Sequence, residues 1–222
     1  MPRKFVPLVR KGGNKEAEKF YILAFEGTVT EKKYFEDLRN SEYFNDSGKI
    51  ELISIDRPKE GHNSPKYVKD LLSKTKRDYN FRPTDEFWMI IDRDDWEAMH
   101  SIDFSELYES CKQEKNLFIA LSNPCFEIWL IFHFVKLSDI GEEDKKQIYQ
   151  NRSISKKKHF IDQYLANVMG TGRGYNKRPN PNIFMPRVKD AIINAKESRI
   201  EEEEYPKTIG TDVYKLVEKL VK

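Results

Sequence analysis

The chain has 222 residues, 38% hydrophobic, 13% aromatic and 34% charged, which is enough apolar material for one buried core and a smaller appendage. Its 39 Lys and Arg nearly balance 37 Asp and Glu, so the net charge of +2 selects no partner and only the distribution of charge can. Cys111 and Cys125 belong to no CxxC or Cys/His cluster, which excludes a disulfide scaffold and a zinc module.

No run approaches the ~20 apolar residues that span a bilayer. The start, Met1-Pro2-Arg3-Lys4-Phe5, has no apolar stretch or small-residue cleavage site behind it. No secretory signal and no membrane are therefore expected, and the location expected is cytoplasmic. Residues 1–18 carry Arg3, Lys4, Arg10, Lys11 and Lys15 before the first acid, Glu16, with Gly12-Gly13 among them. They read as a flexible basic arm, either idle or touching phosphates.

Four apolar runs follow, each succeeded by a helical pattern. Phe20–Phe25 is β-prone and ends at Glu26-Gly27. Thr28 and Glu31 then have capping-box spacing, and Tyr34, Phe35 and Leu38 mark one helix face. Ile50–Ile55 is the second run, before a helix with Ser64 as N-cap, Pro65 as first residue, and Val68, Leu71, Leu72 and Tyr79 along it. The third, Phe87–Ile91, ends in Asp92-Arg93-Asp94-Asp95, and a helix is expected from about Phe104 to Glu114. The fourth, Leu117–Leu121, ends in Ser122-Asn123-Pro124, where Asn123 as N-cap and Pro124 as first residue open an apolar helix through Trp129 and Phe134. Strands alternating with helices predict an α/β fold with a mostly parallel four-stranded sheet over residues 19–138. An α+β arrangement is left open, because run length alone does not orient strands.

From 139 to 222 the pattern predicts a helical, basic appendage without strands. Lys145 to Arg178 holds nine Lys or Arg against one acid, Asp162, with Gly170, Gly172 and Gly174 among them. This is either a solvated face or, with Tyr164 and Tyr175 interleaved, a phosphate-contact surface built from Lys156, Lys157, Lys158, Arg173, Lys177 and Arg178. A helix is expected over about 186–199, then a solvated acidic linker, Glu201–Glu204. A last helix with Thr211 as N-cap and Val213, Leu216, Val217 and Leu220 as its apolar stripe is expected to dock on the core.

The acids fall at strand ends. Glu26 closes the first run, Asp92 and Asp94 the third, and Glu127 lies one turn beyond the fourth. Parallel strands would bring them, with Glu31, to one sheet edge, where functional groups gather in open α/β folds. Carboxylates so placed repel one another unless a divalent cation joins them, and hard oxygen donors suit Mg²⁺ or Mn²⁺ rather than zinc. In an Asp-x-Asp at a strand end alternate side chains can point the same way, so Asp92 and Asp94 could share a metal that polarises a phosphoryl oxygen and activates water. Taken singly, Asp-x-Asp is as readily an N-cap cluster and Glu127 a helix-start acid. Walker and Gly-x-Gly-x-x-Gly loops are absent, Gly170–Gly174 follows a helix rather than a strand, and His133 reads as a satisfied, half-buried side chain.

Glu26-Gly27-Thr28-Val29-Thr30-Glu31-Lys32-Lys33-Tyr34-Phe35 resembles the opening motif of the RloB-like family, and Asp92-Arg93-Asp94-Asp95 its second. Ser122-Asn123-Pro124-Cys125-Phe126-Glu127-Ile128-Trp129-Leu130-Ile131-Phe132-His133-Phe134 resembles its third and most specific motif. Tyr205-Pro206-Lys207-Thr208 resembles a segment before the last helix, with Tyr205 where family members tend to carry Asn. The resemblance spans roughly 20–220. It implies a Toprim-like sheet similar to the nuclease half of OLD-type enzymes, Mg²⁺ or Mn²⁺, and hydrolysis of nucleic acid phosphodiesters, RNA such as tRNA included. Glu26 would be a metal ligand or general acid/base, Asp92 and Asp94 the metal-binding pair, and Glu31 the second acid of the opening motif; Glu127 is added from its position. The implied setting is phage defence by abortive infection beside an RloA-like ATPase, with a homodimer implied by analogy. The alternative is a non-catalytic nucleic-acid-binding or sensor subunit of such an ATPase complex.

Overall fold

The computed structural model describes residues 19–27, 29–45, 50–55, 64–78, 81–94, 96, 102–156, 158–171 and 175–222. The expected arm over 1–18 lies outside them, as do Thr28, Tyr79, Asp95, Lys157, Gly172, Arg173 and Gly174.

Four strands, β1 (Lys19–Phe25), β2 (Ile50–Ile55), β3 (Glu86–Asp92) and β4 (Leu117–Asn123), pair in parallel in the order β2-β1-β3-β4. Between them run α1 (Thr30–Arg39), α2 (Pro65–Asp78) and α3 (Phe104–Lys112). Phe20–Phe25, Phe87–Ile91 and Leu117–Leu121 are continuously apolar, as suits a sheet covered on both faces, and alternate side chains serve opposite faces. Tyr21, Leu23, Phe25, Trp88, Ile90 and Ala120 join Tyr34, Phe35 and Leu38 of α1. Phe20, Ile22, Ala24, Phe87, Met89, Ile91, Ile119 and Leu121 meet Val68 and Leu72 of α2 and Phe104, Leu107 and Tyr108 of α3.

Local starts follow side-chain chemistry. Ser64 accepts from the Tyr67 amide at 3.3 Å and Pro65 opens α2, as its sequence predicts. Asp103, not anticipated, caps α3 by accepting from the amides of Ser105 and Glu106. α1 begins at Thr30 with Val29 at its N-cap, and the Glu31 carboxylate reaches back to the Gly27 amide at 2.9 Å. Asn123 is not an N-cap and Pro124 not a first helical residue. Asn123 ends β4 and donates to the Pro206 carbonyl at 3.0 Å, the Pro124 carbonyl accepts from the Asp94 amide, and the next helix, α4 (Glu127–Ile131), starts three residues later.

Beyond residue 139 the chain forms α5 (Glu142–Gln150), a hairpin of β5 (Ser153–Ser155) and β6 (Lys158–His159), α6 (Phe160–Val168), α7 (Pro181–Phe184), α8 (Val188–Glu197), β7 (Gly210–Thr211) and α9 (Val213–Leu220). The expectation of no strand here is corrected. These strands are two or three residues long, too short for alternation to register. β7 pairs antiparallel with β4 and makes a fifth strand of the sheet, while the Asp212 amide donates to the Leu121 carbonyl at 2.8 Å. The acidic run is only partly a solvated linker. Glu203 pairs with Arg199 and Glu204 with Lys112. No helix among the described residues is long and apolar enough to cross a membrane.

α9 docks as its stripe predicts, with Val213, Leu216, Val217 and Leu220 all buried. Asp212 beneath it is fully buried and meets Arg199 at 3.0 Å and Lys215 at 2.9 Å. Leu216→Ala should cost about 2–5 kcal/mol in urea unfolding. A loss under about 0.5 kcal/mol, the range of an ordinary surface substitution, would mean that α9 does not seal this core.

Candidate metal centre

Parallel pairing places Phe25 beside Ile90 and Asp92 beside Ser122, so the carboxyl ends of β1, β3 and β4 open on one edge. The Glu26 amide continues the ladder to the Ile90 carbonyl at 2.9 Å. The Glu26 carboxylate is buried and held at both oxygens, Oε2 accepting from the Asp92 amide at 2.9 Å and Oε1 from the Trp96 indole at 2.7 Å. Across the turn, a Cβ at Gly27 would overlap the Glu31 carboxylate, so a larger residue there would push that side chain out of its present position.

Asp92 is the last residue of β3, and among the described residues its buried Oδ1 has no hydrogen-bond partner. Asp94 lies beyond the strand at φ +37°, exposed to solvent, a left-handed conformation that aspartate tolerates better than most residues. Strand alternation therefore does not carry to Asp94; a turn brings it back beside Asp92. Arg93 between them ties elsewhere, to the Tyr149 hydroxyl at 3.2 Å and the Lys207 carbonyl at 3.0 Å.

Glu127 opens α4 and is buried, but its carboxylate meets an ammonium. Lys177 Nζ lies 2.8 Å from Glu127 Oε1 and 2.7 Å from Asp162 Oδ1. Lys177 sits at φ +62°, its carbonyl accepting from the Thr30 hydroxyl at 3.0 Å. Of the residues expected to contact phosphates, Lys177 is thus drawn into the carboxylate cluster. Lys156 and Arg178 are exposed, and Lys158 Nζ donates to Gln163 Oε1 at 2.5 Å, while Lys157 and Arg173 lie outside the described residues. Trp96, Asp162 and Lys177 are site residues that sequence reasoning did not assign there. The one signal was Asp162 as the lone acid of a basic stretch.

The charges feel one another. Burial pushes Glu26 up to about 8; hydrogen bonds from Asp92 and Trp96 oppose this, and the charges of Asp94 and Glu31 add to it. Asp92 is raised well above the carboxylate range by burial first, then by Asp94, Glu31, Glu26 and Glu127. Burial alone would lower Lys177, yet Glu127 and Asp162 hold it above its ordinary value. His133 is a satisfied core residue, more buried than expected. Its Nε2 meets the Tyr34 hydroxyl at 3.1 Å, its Nδ1 meets the Trp129 carbonyl at 3.0 Å, and burial lowers it to about 3.

Among the described residues, no three His, Cys, Asp or Glu side chains form a ready-made metal cage. Mg²⁺ rarely uses one, being held by one or two carboxylates with waters and substrate phosphates. The buried, unpartnered Asp92 Oδ1 beside the exposed Asp94 fits that lighter ligation, whereas Glu127 is already neutralised by Lys177.

A carboxylate raised on folding keeps its proton longer when folded than when unfolded, so stability falls as pH rises through the interval between the two values. For Glu26 that interval runs from about 4.5 to about 8. In EDTA, the unfolding temperature should therefore fall between pH 5 and 8, and less steeply for Asp92→Asn. A flat profile by circular dichroism would contradict the electrostatic crowding.

The family model described as RloB-like protein matches residues 21–220. No curated protein and no solved structure matches the chain.

Proposed function

Because the chain belongs to the RloB-like protein family, and because its strand-end acids meet at one sheet edge, we propose that it is a divalent-metal-dependent nuclease with a Toprim-like domain. The observation that carries this reading is the Glu26–Asp92 pair, two carboxylates fixed at adjacent strand ends with one buried oxygen left without a proton donor. Asp92 and Asp94 are the acids placed to hold Mg²⁺ or Mn²⁺, with Glu26 and Glu31 behind them. Such an ion supplies Lewis acidity toward a phosphoryl oxygen and a lowered pKa for bound water.

The chain's own contribution is positional. The Asp92 amide and the Trp96 indole clamp Glu26 at the edge, where it can hold or pass the proton of an attacking water. Lys177, between Glu127 and Asp162, reduces the negative charge that an incoming phosphate would meet beside the acids. The substrate proposed is nucleic acid, RNA such as tRNA included, and the setting is phage defence beside an RloA-like ATPase, with two copies of the chain acting as a homodimer. A binding or sensor subunit is the competing reading. It draws on the fact that Glu26, Glu31 and Glu127 each already accept a proton donor of the protein.

Labelled RNA, single-stranded DNA and duplex DNA should be offered to the wild type with Mg²⁺ or Mn²⁺, with and without the ATPase. Cleavage is expected to fall at least 100-fold in Asp92→Asn and in Glu26→Gln, with both variants folded by circular dichroism. Cleavage that persists in EDTA and in both variants would reject the mechanism. Binding without cleavage under every condition would select the sensor reading.

A further inference from the structure

A cavity of about 360 Å³ opens between α5, the β5–β6 hairpin and the start of α6. It is mixed in chemistry. Phe160 supplies an aromatic wall, Lys146 and Arg152 are cations on it, and Glu143, Gln147 and Gln150 are polar groups around it. Among the described residues, Lys146 and Arg152 make no ion pair, whereas Lys145 and Lys158 both have side-chain partners. Gln147 donates its amide to Glu143 Oε1 at 3.2 Å.

The cavity is braced against the candidate metal centre. Asn151, at φ +39°, ends α5 and joins three elements: its Oδ1 accepts from the Ile161 amide at 3.3 Å, its carbonyl meets His159 Nδ1 at 2.9 Å, and its Nδ2 approaches Cys125 Sγ at 3.8 Å. Cys125 is itself within the field of Glu127, Asp92 and Asp94. On the same helix, Tyr149 is 46% exposed and accepts from Arg93, the residue between the two aspartates.

We propose that this cavity is a subsite for one nucleotide of a single strand, with the base against Phe160 and the phosphate on Lys146 and Arg152. It rests on the nucleic-acid reading above and extends it to a specific contact. The volume lies toward the small end of ligand pockets, roughly 300–1,000 Å³. An aromatic wall beside unpaired cations is how single strands are gripped, whereas duplex backbones call for charge alone. Phe160, Tyr164 and Tyr175 all pack against the core, and of the three Phe160 is the one that also lines the cavity.

The test is fluorescence anisotropy with the full chain in EDTA, so that binding is read without cleavage. The probes are a labelled 12-nucleotide RNA, the same strand with abasic sites, and a duplex DNA of equal length. Phe160→Leu keeps an apolar side chain but removes the ring, and should weaken the base-bearing strand about 5–10-fold while sparing the abasic one. Arg152→Glu, on an exposed residue, should weaken both single strands and lower the salt slope by about one. Unchanged affinity in Arg152→Glu, equal losses on both strands in Phe160→Leu, or duplex binding as tight as the single strand would each overturn the subsite. Cleavage with Mn²⁺ is scored separately. A wild type that cleaves nothing while the variants still weaken binding refutes the nuclease and keeps the subsite; full cleavage with unaltered binding does the reverse.

Discussion

The Asp92 amide donates to the Glu26 carboxylate at 2.9 Å, so two acids that repel each other are locked together at the ends of neighbouring strands. That lock exists because β1 and β3 are neighbours in a parallel sheet whose middle stretches, Phe20–Phe25 and Phe87–Ile91, are apolar and buried. Burial then works against the charges it has gathered, lifting Glu26 to about 8 and Asp92 well above its ordinary value. A folded chain does not keep such a cluster for stability. Its maintenance is intelligible if something positive completes it.

The protein already supplies one positive charge, on the far side. Lys177 bridges Glu127 and Asp162 and is itself positioned through its carbonyl by Thr30 at the start of α1. The edge therefore divides in two. Glu127 and Asp162 share the ammonium of Lys177, while among the described residues Asp92 Oδ1 is buried without a hydrogen-bond partner and Asp94 is exposed. Of the five carboxylates expected to hold a metal, Glu127 is thus already engaged by Lys177.

The segment after α4 supplies the surroundings. α5 reaches Arg93 through Tyr149 and Cys125 through Asn151, and α6 carries Asp162 into the cluster with its N-terminus capped by the same residue. The region that reads in sequence as a basic appendage thus contributes side chains to the edge of the α/β sheet.

Several features were legible in the sequence because they depend on neighbours along the chain. Uninterrupted apolar strands announced a sheet buried on both faces, Ser64-Pro65 announced the start of α2, the stripe Val213–Leu220 announced a docked last helix, and acids closing the strands announced a crowded edge. What the sequence leaves undecided depends on contacts between distant residues. The Lys177–Glu127 pair spans 50 residues and the Trp96–Glu26 bond 70, and neither has a local signature. The role of Asn123 turned on a carbonyl at Pro206, and the two-residue β7 exists only because β4 offers it an edge. Periodicity and capping are short-range physics and can be read from the chain; the partner chosen by a buried charge is settled by which element folds over it.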